Sequence, residues 1–295
     1  MRITTWMTHQ QRLANLQNTE MRLNKAQNQV SSGLKLERAS DNPTGAVELL
    51  TIQTRLVERE QQGASIKGAL PLMKATESSL GDISNALLSA RNAALRAANT
   101  ATGSDADRTA LAAQIQAAQR TVLQQANMKV DQRYLYSGTK SDVQPFTGDP
   151  VTYAGNSSAL KIDVTDGNPI EISVTGKQLL GSQSGSDLFA NLKSLEQAVR
   201  AGDSAGIQAG IDKLDVDRNR VINLRGDMGS RLNYLEMAQE GIDKEVILLQ
   251  TRQSDLRDVD LAEAIVTVKL AENGQQAALA MASKIGGMSL LDYLR

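Results

Sequence analysis

Few residues in this 295-residue chain have the type and spacing that chemistry demands. There is one histidine, His9, close to a terminus, and no cysteine. A lone imidazole at one end gives a Ser-His-Asp triad or a His-based metal site almost nothing to build on. Thiol catalysis and disulfides are excluded by composition, so a location outside the cell requires a fold that needs no staples. The densest acid cluster is Asp212, Asp215 and Asp217 on one predicted helix. Without a phosphate-cradling Gly loop, a nucleophile elbow or a metal cluster beside it, this reads as a solvated helix face. No catalytic, cofactor-binding or metal-ligating residue is therefore expected, and a soluble helical enzyme is the weakest reading. With a net charge of −1 and a pI near 6.0, the chain has no basic footprint for nucleic acid or an anionic membrane.

What the sequence does contain is elements built for burial along their length. From residue 207 to 256, alternating steps of three and four meet Ile207, Ile211, Leu214, Val221, Met228, Leu232, Leu235, Ile242, Val246, Leu249 and Leu256. Arg218, Arg225, Gln239 and Gln253 fill the remaining positions. Such a seam marks a long helix that packs in coiled-coil fashion. At 1.5 Å per residue it extends roughly 75 Å, so a rod is expected. Gly226, Gly229 and Gly241 each weaken a helix interior by about 1 kcal/mol. They leave open a second reading, shorter bundle helices jointed at the glycines.

An earlier helix is predicted over about 6–31, with Leu16, Thr19, Leu23, Ala26 and Val30 in a weaker copy of the seam. Asn15, Asn18, Asn24 and Asn28 are poor helix formers, so this segment needs a partner. Trp6 either anchors an interface or caps the local core. Ser31-Ser32-Gly33 breaks the helix, 34–39 is extended, and Asn42-Pro43 is an N-cap followed by a first helical residue. Helix then continues to about Asn99, lined by Leu72, Thr76, Leu80, Ile83, Leu87, Ala90, Ala94 and Ala97, with Pro71 expected to kink or end it. After a turn at 99–104, Ser104 and Asp107 form a capping box for a helix carrying Leu111, Ile115, Ala118 and Val122. Composition changes at Tyr134. Residues 150–153, 159–164 and 170–174 read as strands separated by turns such as Asp166-Gly167-Asn168-Pro169, giving a small β domain. Helix returns at Asp187, with Leu188, Leu192, Leu195 and Val199, and closes at Ala201-Gly202. From Leu261 to Met281 the chain is apolar on most of its circumference, interrupted at 273–276. A helix apolar all round is buried all round, so other copies are expected to cover it.

Both ends together resemble the bacterial flagellin superfamily. Residues 23–46 (LNKAQNQVSSGLKLERASDNPTGA) and 87–111 are similar to its N-terminal segments. Residues 227–236, 254–284 and 289–295 are similar to its C-terminal block. Asp41-Asn42-Pro43 and the run Tyr134-Leu135-Tyr136-Ser137-Gly138 … Pro145-Phe146 look like its hook-associated branch more than like its flagellins. A flagellin stays the alternative within the family, and an intracellular coiled-coil scaffold the alternative outside it.

The resemblance implies a mainly α fold: an elongated rod of long antiparallel coiled-coil helices formed by both chain ends, with a small inserted β domain. It divides the chain into a terminal assembly domain (1–40 with 257–295), a helical rod domain (41–140 with 187–256) and a β domain (141–186). The expected assembly residues are Leu16, Leu23, Val30, Leu261, Ile265, Val268 and Leu279. The implied partners are further copies of the chain, a neighbouring hook-associated protein, flagellin, and an export chaperone with its export apparatus. No cofactor, nucleic acid or membrane insertion is implied. The start, MRITTWMTHQQ, lacks the apolar region of a cleavable signal, so a place in the extracellular flagellum implies another export route.

Overall fold

The computed structural model describes residues 2–99, 104–165, 168–181 and 187–291. These residues form seven helices: α1 (Arg2–Ser32), α2 (Pro43–Asn99), α3 (Asp105–Ala126), α4 (Gly176–Leu180), α5 (Leu188–Ala201), α6 (Ser204–Arg257) and α7 (Leu261–Leu291). Six short strands lie between α3 and α4: β1 (Lys129–Val130), β2 (Arg133–Tyr134), β3 (Phe146–Thr147), β4 (Thr152–Tyr153), β5 (Lys161–Thr165) and β6 (Asn168–Glu171). The chain divides into two compact units, one of Met1–Glu58 with Glu245–Arg295 and the other Arg59–Lys244.

In the 59–244 unit the core is a paired seam. On α2, Ile66, Ala69, Met73, Thr76, Leu80, Ile83, Leu87, Ala90, Ala94 and Ala97 are all buried and step 3-4-3-4 without a break. Met73, not Leu72 as the sequence suggested, holds the seam position; Leu72 is half-buried. On α6, Ile207, Ile211, Leu214, Val221, Met228, Leu235 and Ile242 are buried, and Leu232 is half-buried. The two helices run antiparallel, held in register by a ladder of ion pairs. Arg91 meets Asp215 through two bonds of 2.6 and 3.1 Å, Arg225 meets Glu77 at 2.6 Å, Lys74 meets Glu236 at 2.8 Å, and Lys67 meets Asp243 at 3.3 Å. Each is at least partly exposed and adds little stability, but together they oppose any slip of one helix along the other.

Three expectations need correction. Pro71 does not end α2, which is assigned as helix from Pro43 to Asn99. The ring removes one main-chain donor, yet the seam on either side of it continues in phase and holds the helix in place. Gly226, Gly229 and Gly241 likewise leave α6 whole, so the jointed reading fails. The inserted region is divided differently from the expectation: three separate two-stranded antiparallel hairpins, the first starting at Lys129 where the composition did not signal strand, and helix α4 following them. Of the predicted turns, residues 100–103 and 166–167 lie outside the described residues.

The aromatic run after α3 fastens these hairpins to the bundle. Tyr136 is fully buried and donates its hydroxyl to Ser79 Oγ on α2 at 3.0 Å, while Ser79 donates to the Gln125 carbonyl of α3 at 3.2 Å. Tyr153 donates to the carbonyls of Tyr136 (2.9 Å) and Asn156 (2.6 Å), and its ring lies against Gly155 and Gly176, where a Cβ would collide with it. Phe146 packs between Tyr153 and Phe189, with ring centroids 5.4 and 5.5 Å away. Leu188, Phe189, Leu192, Leu195 and Val199 close this core from α5.

Candidate assembly surface

The acid cluster named by the sequence does not behave as one solvated face. Asp212 is exposed and Asp215 serves the ladder, but Asp217 is fully buried. Its carboxylate accepts from Asn191 Nδ2 at 2.7 Å and pairs with Arg220, which in turn donates to the carbonyls of Leu179 (3.2 Å) and Leu180 (3.0 Å). The aspartate thus orients an arginine that caps the C-terminal carbonyls of α4, a structural task. Periodicity could not reveal it, because the burying elements α4 and α5 come from distant sequence. Among the described residues no group of three or more His, Cys, Asp or Glu side chains could hold a metal ion. Nor is any described helix long and apolar enough to cross a membrane.

The larger feature is in the unit of residues 1–58 and 245–295. There α1 and α7 pack antiparallel, joined at one end by a bridge between Leu34 and Asp258 and by the Val259 amide donating to the Gly33 carbonyl at 2.9 Å. Gly33, at φ +72°, makes the left-handed step that ends α1. Asp260 starts α7 by accepting from the amides of Ala262 (2.8 Å) and Glu263 (3.3 Å). Asp41 closes the adjoining loop, accepting from Lys25 Nζ at 2.9 Å and from the Arg38 amide at 3.1 Å. The Lys25 hydrogen bond, with the Arg38 amide, holds the Asp41 carboxyl below the usual carboxylate range.

The predicted assembly residues separate into two groups. Leu23 is buried, and Leu16, Val30 and Val268 are half-buried, on the faces that α1 and α7 present to each other. Leu261, Ile265 and Leu279 point outward, about half exposed. The sequence missed that the outward set is larger: Trp6, Met7, Leu13 and Met21 on α1, and Val266, Leu270 and Met281 on α7, are all exposed. Trp6 therefore caps no local core. The inward positions of α7 are mostly small: Ala264 is buried, and Ala271 and Ala278 are half-buried beside Val268 and Gln275. So α7 turns its small residues to its own chain and its bulky aliphatic ones to solvent. This is the reverse of a surface helix that ends its partnerships at α1. The rod-seam residues inside this unit follow the ordinary rule, with Leu249 buried and Val246 and Leu256 half-buried.

Long paired terminal helices that leave apolar surface uncovered define an assembly protein, and comparison gives its family. Residues 3–141 match the family model for the bacterial flagellin N-terminal helical region, and residues 211–294 match that for the bacterial flagellin C-terminal helical region. The chain belongs to the bacterial flagellin superfamily. Within it, the chain is similar to flagellar hook-associated protein 3 of Escherichia coli (strain K12), with 28% identity covering 98% of each chain. It is also similar to flagellar hook-associated protein 3 of Salmonella typhimurium, with 24% identity over the whole of both. The fold is shared with the crystal structure of Bacillus cereus FlgL at a TM-score of 0.60 and 23% identity, covering 69% of this chain and 99% of that one.

Proposed function

We propose that this chain is a structural adaptor of the bacterial flagellum, seated at the junction between hook and filament, with no enzymatic role. The observation that carries the reading is the outward apolar surface of α1 and α7. Leu270 is 67% and Trp6 is 66% exposed in a single copy, an arrangement that makes sense only where neighbours cover it. Similarity to hook-associated protein 3 over nearly the full length of both chains supports the junction over the filament.

On this reading residues 1–40 and 257–295 form the assembly domain, residues 41–140 with 187–256 the helical support, and residues 141–186 the hairpin insert. Copies join through contacts in which one surface meets a different surface of the next, which generates an open lattice instead of a closed oligomer. One end of that lattice meets a hook-associated neighbour and the other receives flagellin. Before assembly an export chaperone and the export apparatus handle the chain. Deleting the gene tests the role: hooks without filaments, with flagellin shed into the medium, are expected. Cells that still build normal filaments overturn it.

A further inference from the structure

The paired helices α1 and α7 carry opposite charge on their two sides. Buried residues fix the direction in which each helix faces the other, Leu23 and Ala26 on α1 and Ala264 on α7. At about 100° per residue, Arg22 on α1 and Gly274 on α7 turn to one hand of that direction. Glu20 on α1 and Glu272 on α7 turn to the other. On two antiparallel helices the same turn leads to the same side of the pair. The first side is a groove of about 420 Å³, to which Arg22, Lys25, Leu270 and Gly274 all contribute.

This groove is basic, with small residues along its floor. A Cβ at Gly274 would meet nothing within 4 Å, and Leu270 stands exposed at the rim. Lys25 is held by Asp41, but Arg22 is exposed and among the described residues has no hydrogen bond or ion pair. The opposite side is acidic and apolar. Glu20 and Glu272 lie equally far in sequence from the Leu34–Asp258 bridge, so they stand at one level across the pair. Glu272 holds Lys269 at 2.9 Å, whereas Glu20 is exposed and has no partner among the described residues. Ile265 and Leu279, about two turns to either side of Glu272, are about half exposed on the same side.

The two unpartnered charges are therefore complementary and nearly level. Glu20 and Arg22 are separated by about 3 Å along the axis of α1 and about 200° around it. A second copy placed alongside in the same orientation, with almost no slide along the axis, brings its Glu20 against Arg22 of the first. Its Ile265 and Leu279 then face the groove side with Leu270. We propose that this is how neighbouring copies join: the acidic side of one α1–α7 pair lies against the basic groove of the next. The proposal rests on the assembly reading above and names the surfaces that meet. Such a contact is heterologous, so a free side always remains and the array can grow. Exposed ion pairs are worth little, so the apolar surround supplies affinity while Glu20 and Arg22 fix the level at which copies meet.

The absence of native cysteine makes the test clean. The same relation sets Gln276 of one copy near Gly274 of the next. Both are exposed, and within one chain they point to opposite sides of α7, so they cannot bridge each other. Full-length chain carrying Gly274→Cys and Gln276→Cys together is assembled in cells, and the isolated flagella are oxidised. A ladder of linked dimers, trimers and longer products is expected, with almost none from either variant alone. Adding Arg22→Glu or Glu20→Arg lowers the ladder several-fold, and adding both restores it. Neither charge has a partner within the chain, so the urea midpoint of the isolated protein is unchanged. If the cysteines themselves stop filament growth, filament number becomes the readout: either charge change alone lowers it several-fold, and the two together restore it. Filaments without a ladder, equal linking from a single variant, linking to a different flagellar protein in place of the ladder, or no rescue by the exchanged charges overturns the contact. The gene deletion decides the junction role separately, so the two readings can fail independently.

Discussion

At the residue scale the structure depends on a few polar contacts that tie distant segments together. Asp217 is one. Removing its carboxylate leaves Arg220 unpaired in a mostly buried place, so Asp217→Ala is expected to cost about 3–5 kcal/mol in urea unfolding. Gly181 belongs to the same knot, with φ +75° and the Arg220 guanidinium where a Cβ would stand. Gly181→Ala is expected to cost at least about 2 kcal/mol, from the left-handed backbone and the displaced arginine together. Tyr136 reports on pH. Burial pushes its hydroxyl beyond the usual phenol range, helped by the nearby Asp82 charge and opposed by the Ser79 hydrogen bond. The unfolded chain therefore loses this proton first, and stability falls as pH rises past the ordinary tyrosine value; Tyr136→Phe removes that component of the alkaline loss. Asp41 works at the acid end. Its carboxyl is held low, so its contribution is complete above the ordinary carboxylate value and disappears as pH falls through the folded one. In Asp41→Asn, hydrogen exchange at the 33–41 loop is expected to be fast at neutral pH and to lose its acid dependence. These residues were the least legible in the sequence. Asp217 looked like one more solvated acid because the carbonyls that Arg220 caps lie about 40 residues away. The aromatic run at 134–146 was visible as a marker, but not its job of pinning hairpins to α2.

At the element scale the hierarchy of forces is clear. The α2–α6 seam carries the stability and the ladder beside it carries the register. Leu235→Ala, at a fully buried seam position, is expected to cost about 2–5 kcal/mol, whereas Lys74→Ala on the ladder costs less than about 1 kcal/mol. Chemical denaturation of the two variants side by side checks the contrast. Most elements were legible because their signals are local. Ser104 with Asp107 forms the capping box of α3, Asp187 and Gly202 bound α5, and Asn42 with Pro43 opens α2. A seam held for fifteen positions also outweighed three glycines, each a local penalty of about 1 kcal/mol spread over a 54-residue helix. That Pro71 does not end the helix and that Met73 replaces Leu72 in the seam have one reason: a local rule about a ring and a local choice of phase were overruled by a ten-position stripe on the same helix. The β5–β6 hairpin was legible from the alternation at 159–164 and the turn at 166–169, whereas the two-residue strands of the other hairpins have too few residues to show alternation, and the Thr175–Gln178 capping box that opens α4 was overlooked.

At the scale of the whole molecule, stability and assembly are separable. Leu270→Asp places a charge on an already exposed position, so the lone chain should keep its unfolding midpoint within about 0.5 kcal/mol while junction formation is lost. Electron microscopy of cells carrying this variant, beside urea unfolding of the purified chain, checks both halves. Removing residues 258–295 should likewise leave a soluble folded chain that cannot assemble. The paired helices also set the order of events during synthesis. Arg91 waits for Asp215 and Lys67 for Asp243, while Leu34 waits for Asp258. Many partnerships of the first hundred residues are with the last hundred. Loops of that length close late, so a growing chain has no complete fold to settle into until translation is almost done. Until then the ribosome holds a thread that is still easy to pull straight.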